Sequence, residues 1–174
     1  AEQTLASTAL IVVDDASTDR GAERVMAWME KKQDRFISAS LLQHGSNRGL
    51  PAARNTAIER SESEYVFILD ADNEIRPRCL EALLTSARSS GAAFAYSMIE
   101  QFGEIRGLVG TDAWSAKQLA QGNYIDAMAL LKRTTWKTVG GYRKMTTPGW
   151  EDFDFWCRCV EADLHGILVP EILC

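Results

Sequence analysis

Asp70 and Asp72 are the residues whose types and spacing most directly point to chemistry. They follow an apolar run, Tyr65-Val66-Phe67-Ile68-Leu69, with only Ala71 between them. Five apolar residues in succession read as a strand buried on both faces, as in the middle of a parallel sheet. Alternation along such a strand would point both carboxylates to one side. At its carboxyl end they would lie where open α/β sheets place their ligands. Two close carboxylates repel unless a cation neutralises them, and hard divalent ions prefer oxygen ligands. An acidic turn capping the next helix is the plainer reading. An EF-hand loop fits less well, because Glu74 stands where Asp or Asn is usual and Ile75 where the sharp turn needs Gly.

Three further groups carry charge in patterned places. The run Ala9 to Val13 ends in Asp14-Asp15-Ala16-Ser17-Thr18-Asp19, the start of a βα unit in which Thr18 or Asp19 can cap the helix. Arg48 stands before an Ala-rich helix that Pro51 helps to start, and Arg54 stands one turn inside it. Both arginines could face an anion at that helix's amino end, or simply be solvated. Glu151, Asp152 and Asp154 crowd the first turn of a last helix, where negative charge suits the dipole.

The elements that must position these groups alternate. Strands are expected at 9–13, 36–42, 65–69, 91–98, 123–131 and 166–169, the last stopped by Pro170. Helices are expected after Asp19, from about 51, from Pro77 to about Ser90, over 114–120, over 134–139 and from Gly149 onward. Val25, Trp28 and Met29 form one inner stripe, Leu80, Leu83 and Leu84 another, and Phe153, Trp156, Cys157 and Val160 a third. Gly140-Gly141 forces a turn. The pattern is α/β.

Composition narrows the partners. The 174 residues are 46% apolar and 25% charged, an ordinary globular balance with room for a core. A net charge of −5 argues against nucleic acid as a partner. No apolar run has the length of a membrane span, and the first residues lack the pattern of a signal peptide. Cys79, Cys157, Cys159 and Cys174 show no disulfide or zinc spacing and read as reduced packing residues, in keeping with the cytosol. His44 and His165 have no partner pattern.

Taken in order, Ile11 to Asp19, Asn47-Arg48-Gly49 through Ala53-Arg54-Asn55, Leu69-Asp70-Ala71-Asp72, Gly122-Asn123-Tyr124-Ile125, Val139-Gly140-Gly141-Tyr142 and Trp150-Glu151-Asp152 closely resemble family 2 glycosyltransferases of the GT-A fold. The resemblance covers nearly the whole chain. It implies a single Rossmann-like mixed sheet flanked by helices, with about residues 1–98 binding a nucleotide sugar and about 99–174 binding an acceptor. The implied reaction is metal-dependent transfer of a sugar, with inversion, from a nucleotide-diphosphate donor to a hydroxyl of a carbohydrate, lipid-linked or other acceptor.

By that resemblance Asp72 ligates Mn²⁺ or Mg²⁺, with Asp70 near the ribose and sharing the metal. Asp14, Asp15 and Ser17 take the base and ribose, and Arg54 and Arg48 lie near the base or phosphates. Asp152 is the base that accepts the acceptor's proton. Glu151 orients the acceptor, as do Gly141 and the face of Trp150. The charges of Glu151 and Asp154 should raise Asp152's proton affinity, while the helix terminus should lower it. Acceptor choice would lie in the loops 102–114 and 144–149.

The chain departs from the family's pattern at both ends. It opens almost directly on what would be the second strand and stops before the usual Tyr-Arg-type stretch. A piece of a longer enzyme is the favoured explanation, one prone to association, since an oligomer would cover its open faces. A membrane would be met through parts outside this segment, on its cytoplasmic face. An inactive nucleotide- or sugar-binding module of the same fold is the alternative. A nucleotidyltransferase is a further one, although the Gly-rich basic loop it would want is not visible.

Overall fold

The computed structural model describes residues 1–147 and 149–174. Pro148, inside the 144–149 loop, lies outside the described residues. The chain divides into two compact units, one of residue 1 and residues 5–62, the other of residues 2–4 and 63–174.

The first unit is built on one crossover. Strand β1 (Ala9–Asp14) leads through α1 (Gly21–Lys32) and a short 3₁₀ turn (Gln33–Arg35) to β2 (Ser38–Gln43), which lies parallel to β1. Parallel partners need such a crossover, so the βα unit read from the sequence is present. Helix α2 (Leu50–Arg60) follows, its N-cap Gly49 at φ 87 and Pro51 in its first turn. The apolar run of β1 is half-buried rather than fully buried. Of the expected α1 stripe Met29 is buried, Val25 is partly covered and Trp28 is 39% exposed. Asp19 does not occupy the N-cap, which is Arg20; its carboxylate accepts from the Gly21 amide two residues further on.

The second unit carries a mixed sheet of five strands: β3 (Tyr65–Phe67), β4 (Phe94–Gln101), β5 (Gly107–Val109), β6 (Ala129–Lys132) and β7 (Gly166–Ile172). β4 is central, antiparallel to β6 and β5 and parallel to β7. β3 pairs antiparallel with β6, so the expected parallel-sheet setting for residues 65–69 does not hold. The strand also ends at Phe67; Ile68 stays buried while Leu69 turns out to solvent. Helix α3 (Cys79–Ser90) covers one face with Cys79, Leu83 and Ala87 packed on Ala95, Leu130 and Val169. Burial of Leu83 alone contributes about 2 kcal/mol.

Helices α4 (Ala116–Leu119), α5 (Arg133–Val139) and α6 (Glu151–Glu161) complete the unit. The buried face of α6 is Phe155, Trp156 and Cys159, with Phe153, Cys157 and Val160 only partly covered, so the helix is rotated from the expected stripe. Phe94 lies 4.6 Å from Trp156 and 5.0 Å from Trp114, centroid to centroid. Gly166, opposite Phe94 in the ladder, leaves room for that ring, and any Cβ there would collide with it.

Two strand expectations fail for local reasons. Residues 123–128 are not strand, since only 129–132 pair. β7 runs through Pro170 rather than stopping at it. The register slips from Ser97↔Val169 to Met98↔Ile172, so Pro170 sits in an irregularity where no ladder hydrogen bond is asked of it. No described helix is long and apolar enough to cross a membrane.

Candidate active site

In the first unit the parallel register decides which side chains meet. Asp14 pairs with Gln43, and the His44 amide donates to the Asp14 carbonyl at 2.9 Å, which carries His44 to Asp15. His44 Nδ1 lies 2.6 Å from Asp15 Oδ1, and its Nε2 lies 2.9 Å from Thr56 Oγ1 on α2. The Arg48 amide donates to both Asp15 oxygens at 2.9 and 3.1 Å, and the Gly49 amide donates to Oδ2 at 2.6 Å. Four contacts fill the acceptor capacity of one carboxylate. Burial opposes ionisation of Asp15, but the bonds from His44, Arg48 and Gly49 outweigh it and hold its carboxyl below the usual range.

Asp14 differs from its neighbour. It accepts from the Ser17 amide at 3.1 Å and from Gln43 Nε2 at 3.1 Å; the Ser17 side chain most, then Gln43 and the Ser17 amide, lower its proton affinity. The turn that returns Ser17 to Asp14 places Ala16 at φ 60, a left-handed conformation that costs an L-residue about 1 kcal/mol. Ser17 and Arg48 are exposed, and Arg54 is buried on α2.

In the second unit Asp70 and Asp72 occupy a turn rather than a strand. The Asn73 amide donates to the Asp70 carbonyl at 3.2 Å, so strand alternation no longer governs the two carboxylates. Asp72 is exposed and Asp70 half-buried. Gly141 is buried at φ 73, its amide donating to the Trp136 carbonyl at 2.9 Å where α5 ends.

Helix α6 sorts its acidic first turn into separate tasks. Glu151 is buried and accepts from the Gly149 amide at 3.1 Å. Asp154 takes two bonds from Arg158, at 2.9 and 2.6 Å, one turn along. Asp152 accepts from Asn123 Nδ2 at 3.0 Å and from the Phe153 amide at 2.7 Å. The indole of Trp156, one turn further, donates to the Ile125 carbonyl at 2.9 Å. Two successive turns of α6 therefore grip residues 123–125, a stretch outside the strand ladders.

Burial is the largest influence on Asp152 and raises its proton affinity. The Phe153 amide and Asn123 pull the other way, while Asp126 and Glu151 push it up further; the net shift is upward. Neighbouring carboxylates and the helix terminus pull in opposite directions, and desolvation is the largest influence on the outcome. Trp150 is 48% exposed and rests 5.5 Å from Phe153, beside a surface depression of about 390 Å³ that Met145, Thr146 and Thr147 help to line. The sequence alone does not mark His44, Asn123 or Asp126 as partners of these sites. Asn123 lies within Gly122-Asn123-Tyr124-Ile125, but its contact is with a residue 29 positions away.

The sequence pattern described as glycosyl transferase family 2 matches residues 1–153. The chain belongs to that family. An uncharacterized glycosyltransferase of Methanocaldococcus jannaschii is 24% identical over 98% of this chain and 60% of its own length. The poly(ribitol-phosphate) beta-N-acetylglucosaminyltransferase TarP of Staphylococcus aureus is 35% identical over 52% of this chain and 27% of its own. The putative teichuronic acid biosynthesis glycosyltransferase TuaG of Bacillus subtilis is 35% identical over 54% of this chain and 37% of its own. The chain thus spans 60% or less of these relatives.

Solved structures agree on the fold. Residues 1–349 of S. aureus TarS, in complex with UDP, superpose with a TM-score of 0.76 at 16% identity, covering 99% of this chain and 52% of that 1–349 chain. The mannosyltransferase PcManGT of Pyrobaculum calidifontis, in complex with GDP-Man and Mn²⁺, gives 0.74 at 20% identity over 99% and 49%. The family 2 chain has the GT-A fold, mixed α/β with helices flanking its sheets.

Proposed function

We propose that this chain is the catalytic part of a metal-dependent, inverting glycosyltransferase that moves a sugar from a nucleotide-diphosphate donor to an acceptor hydroxyl. The observation that carries this reading is Asp152, a carboxylate held by Asn123 at the head of α6 with its proton affinity raised by burial. Single-displacement inversion needs a base that is ionised yet basic enough to take the acceptor's proton, and a raised carboxylate meets both demands. The proton passes from the acceptor hydroxyl to an Asp152 oxygen as the new glycosidic bond forms.

The first unit takes the nucleotide. Asp14 and Ser17 receive base and ribose, since an open carboxylate accepts from ring N–H and hydroxyl groups. Asp15 serves by shaping the turn that presents Arg48, and Arg54 adds positive charge behind it. The second unit supplies the metal and acceptor groups. Asp70 and Asp72 offer oxygen alone, and among the described residues no three His, Cys, Asp or Glu gather as a closed metal cage. That donor set fits Mg²⁺ or Mn²⁺, which keep several positions for water and diphosphate oxygens. When bound, the ion would stabilise the charge on the departing nucleoside diphosphate.

Glu151 and Gly141 shape the acceptor side, and the open face of Trp150 suits a sugar ring. The names of TarP and TuaG make a polyol-phosphate or polysaccharide chain the first acceptor class to try, as in cell-wall biosynthesis at the cytoplasmic face of a membrane. Calorimetric titration of UDP, GDP and dTDP, each with and without Mn²⁺, tests the donor half. One nucleotide should bind only with metal, and Asp72→Ala should abolish that dependence. Transfer by the wild-type parent enzyme, lost in Asp152→Asn with nucleotide binding intact, tests the catalytic half. Nucleotide binding with no transfer by any wild-type form would mean an inactive binding module.

A further inference from the structure

We propose that Cys79 and Cys174 form a reversible thiol-oxidation site, closed to a disulfide by a hydroperoxide. Their sulfurs lie 3.8 Å apart although the residues are 95 positions apart in sequence, and the Ser97 hydroxyl lies 3.6 Å from the Cys174 sulfur. Both belong to the second unit, Cys79 as the first residue of α3 and Cys174 just beyond β7. The backbone around the pair is already fixed on both sides. The Arg76 amide donates to the Leu173 carbonyl at 2.8 Å and the Glu100 amide to the Cys174 carbonyl at 2.9 Å.

The two thiols are not equivalent. Cys79 is fully buried, and its proton is held by the bond to Cys174 and by burial, so its affinity rises. Cys174 is partly exposed, and the bonds from Cys79 and Ser97 lower its affinity against the effects of burial and Asp126. A less buried sulfur of lowered proton affinity beside a fully buried, protonated partner is the arrangement of an attacking and a resolving cysteine. Cys157 and Cys159 have no such pairing: burial, the largest influence on each, raises both thiols.

The step balances as follows. Cys174 thiolate attacks the peroxide's terminal oxygen, breaking the O–O bond and leaving a sulfenic acid and an alkoxide or hydroxide. The Cys79 sulfur then attacks the Cys174 sulfur, its proton leaves with the displaced hydroxide as water, and the S–S bond forms. Two thiols are oxidised by two electrons and the hydroperoxide is reduced to water and an alcohol, or to two waters. A dithiol reverses it. The bridge ties the start of α3, and so the segment 68–78 that carries Asp70 and Asp72, to the end of β7.

The experiment is peroxide titration of the full enzyme, followed by thiol counting and peptide mapping without reductant. The Cys79 and Cys174 thiols should disappear together as one linked peptide. The melting temperature of the oxidised form should rise by about 5–15 °C and fall back with dithiothreitol. Cys79→Ala should instead trap Cys174 as a dimedone-reactive sulfenic acid, and Cys174→Ser should leave Cys79 unreactive. Should the Cys79 variant fold poorly, the Cys174 variant, at the less buried position, still decides. Survival of both the Cys79 and Cys174 thiols, or losses confined to Cys157 and Cys159, would overturn the proposal.

Discussion

Asp15 and Asp152 are both partly covered aspartates set among hydrogen-bond donors, one in each unit, and their proton affinities move in opposite directions. Asp15 spends every lone pair on the protein: His44, Arg48 and Gly49 surround it, and their bonds lower its proton affinity against the effect of burial. Asp152 has two neutral donors, is more deeply desolvated, and faces Asp126 and Glu151. The first holds a loop in place, whereas the second is the group proposed to exchange a proton. The proton affinity of one side-chain type thus moves either way according to how many donors reach it and how much water is removed.

The largest test of that contrast is Asp152→Asn in the complete enzyme. Transfer should fall by about 10²–10⁴-fold with nucleotide affinity unchanged, read by steady-state kinetics and calorimetry. Undiminished transfer would break the assignment. Next comes Asp15→Ala, which strands the Arg48 and Gly49 amides and should cost about 1–3 kcal/mol of stability, measured by urea unfolding. It should also weaken nucleotide binding without touching the acid limb of the rate profile.

The pH dependence separates the two further. For Asp15 the folded affinity is lowered, so its stabilisation is present above the ordinary value of 3.8 and is lost as pH falls through the folded value. For Asp152 it is raised, so the contribution is full below 3.8 and is lost as pH rises through the folded value. Unfolding curves of wild type, Asp15→Asn and Asp152→Asn should therefore diverge on opposite sides of that point. The acid limb of the rate profile should lie above the ordinary aspartate value. The smallest effect is Ala16→Gly, which relieves a left-handed residue and should stabilise the first unit by about 0.5–1 kcal/mol.

Much of the fold was legible because its patterns are local. Pro51 after a glycine starts α2 where expected, and the run before Asp14 is β1. What the sequence hid depends on partners distant in the chain. Residues 123–128 carry strand-like composition, yet Trp156 and Asp152 claim their polar groups instead of a neighbouring strand. Tyr65 to Leu69 reads as a parallel core strand, but β6 reaches it from the opposite direction. The orientation of α6 could not be fixed from periodicity alone, because Phe153, Phe155, Trp156 and Cys157 are apolar on nearly every face. At the site, residue types named the carboxylates. Only the β1–β2 register shows that His44 meets Asp15, and only burial sets Asp152's direction.

The Trp156 indole, anchored on Ile125 and packed against Phe94, gives the second unit its own optical label. Trp114, Trp136 and Trp150 also lie in that unit, whereas the first holds only Trp28, 39% exposed. Emission from this protein should thus report mainly on residues 63–174, shifting to the red when α6 lets go of the 123–125 segment. Unfolding of the first unit alone would leave the spectrum almost unchanged, so a fluorescence melt and a backbone circular-dichroism melt would be watching different parts of one chain.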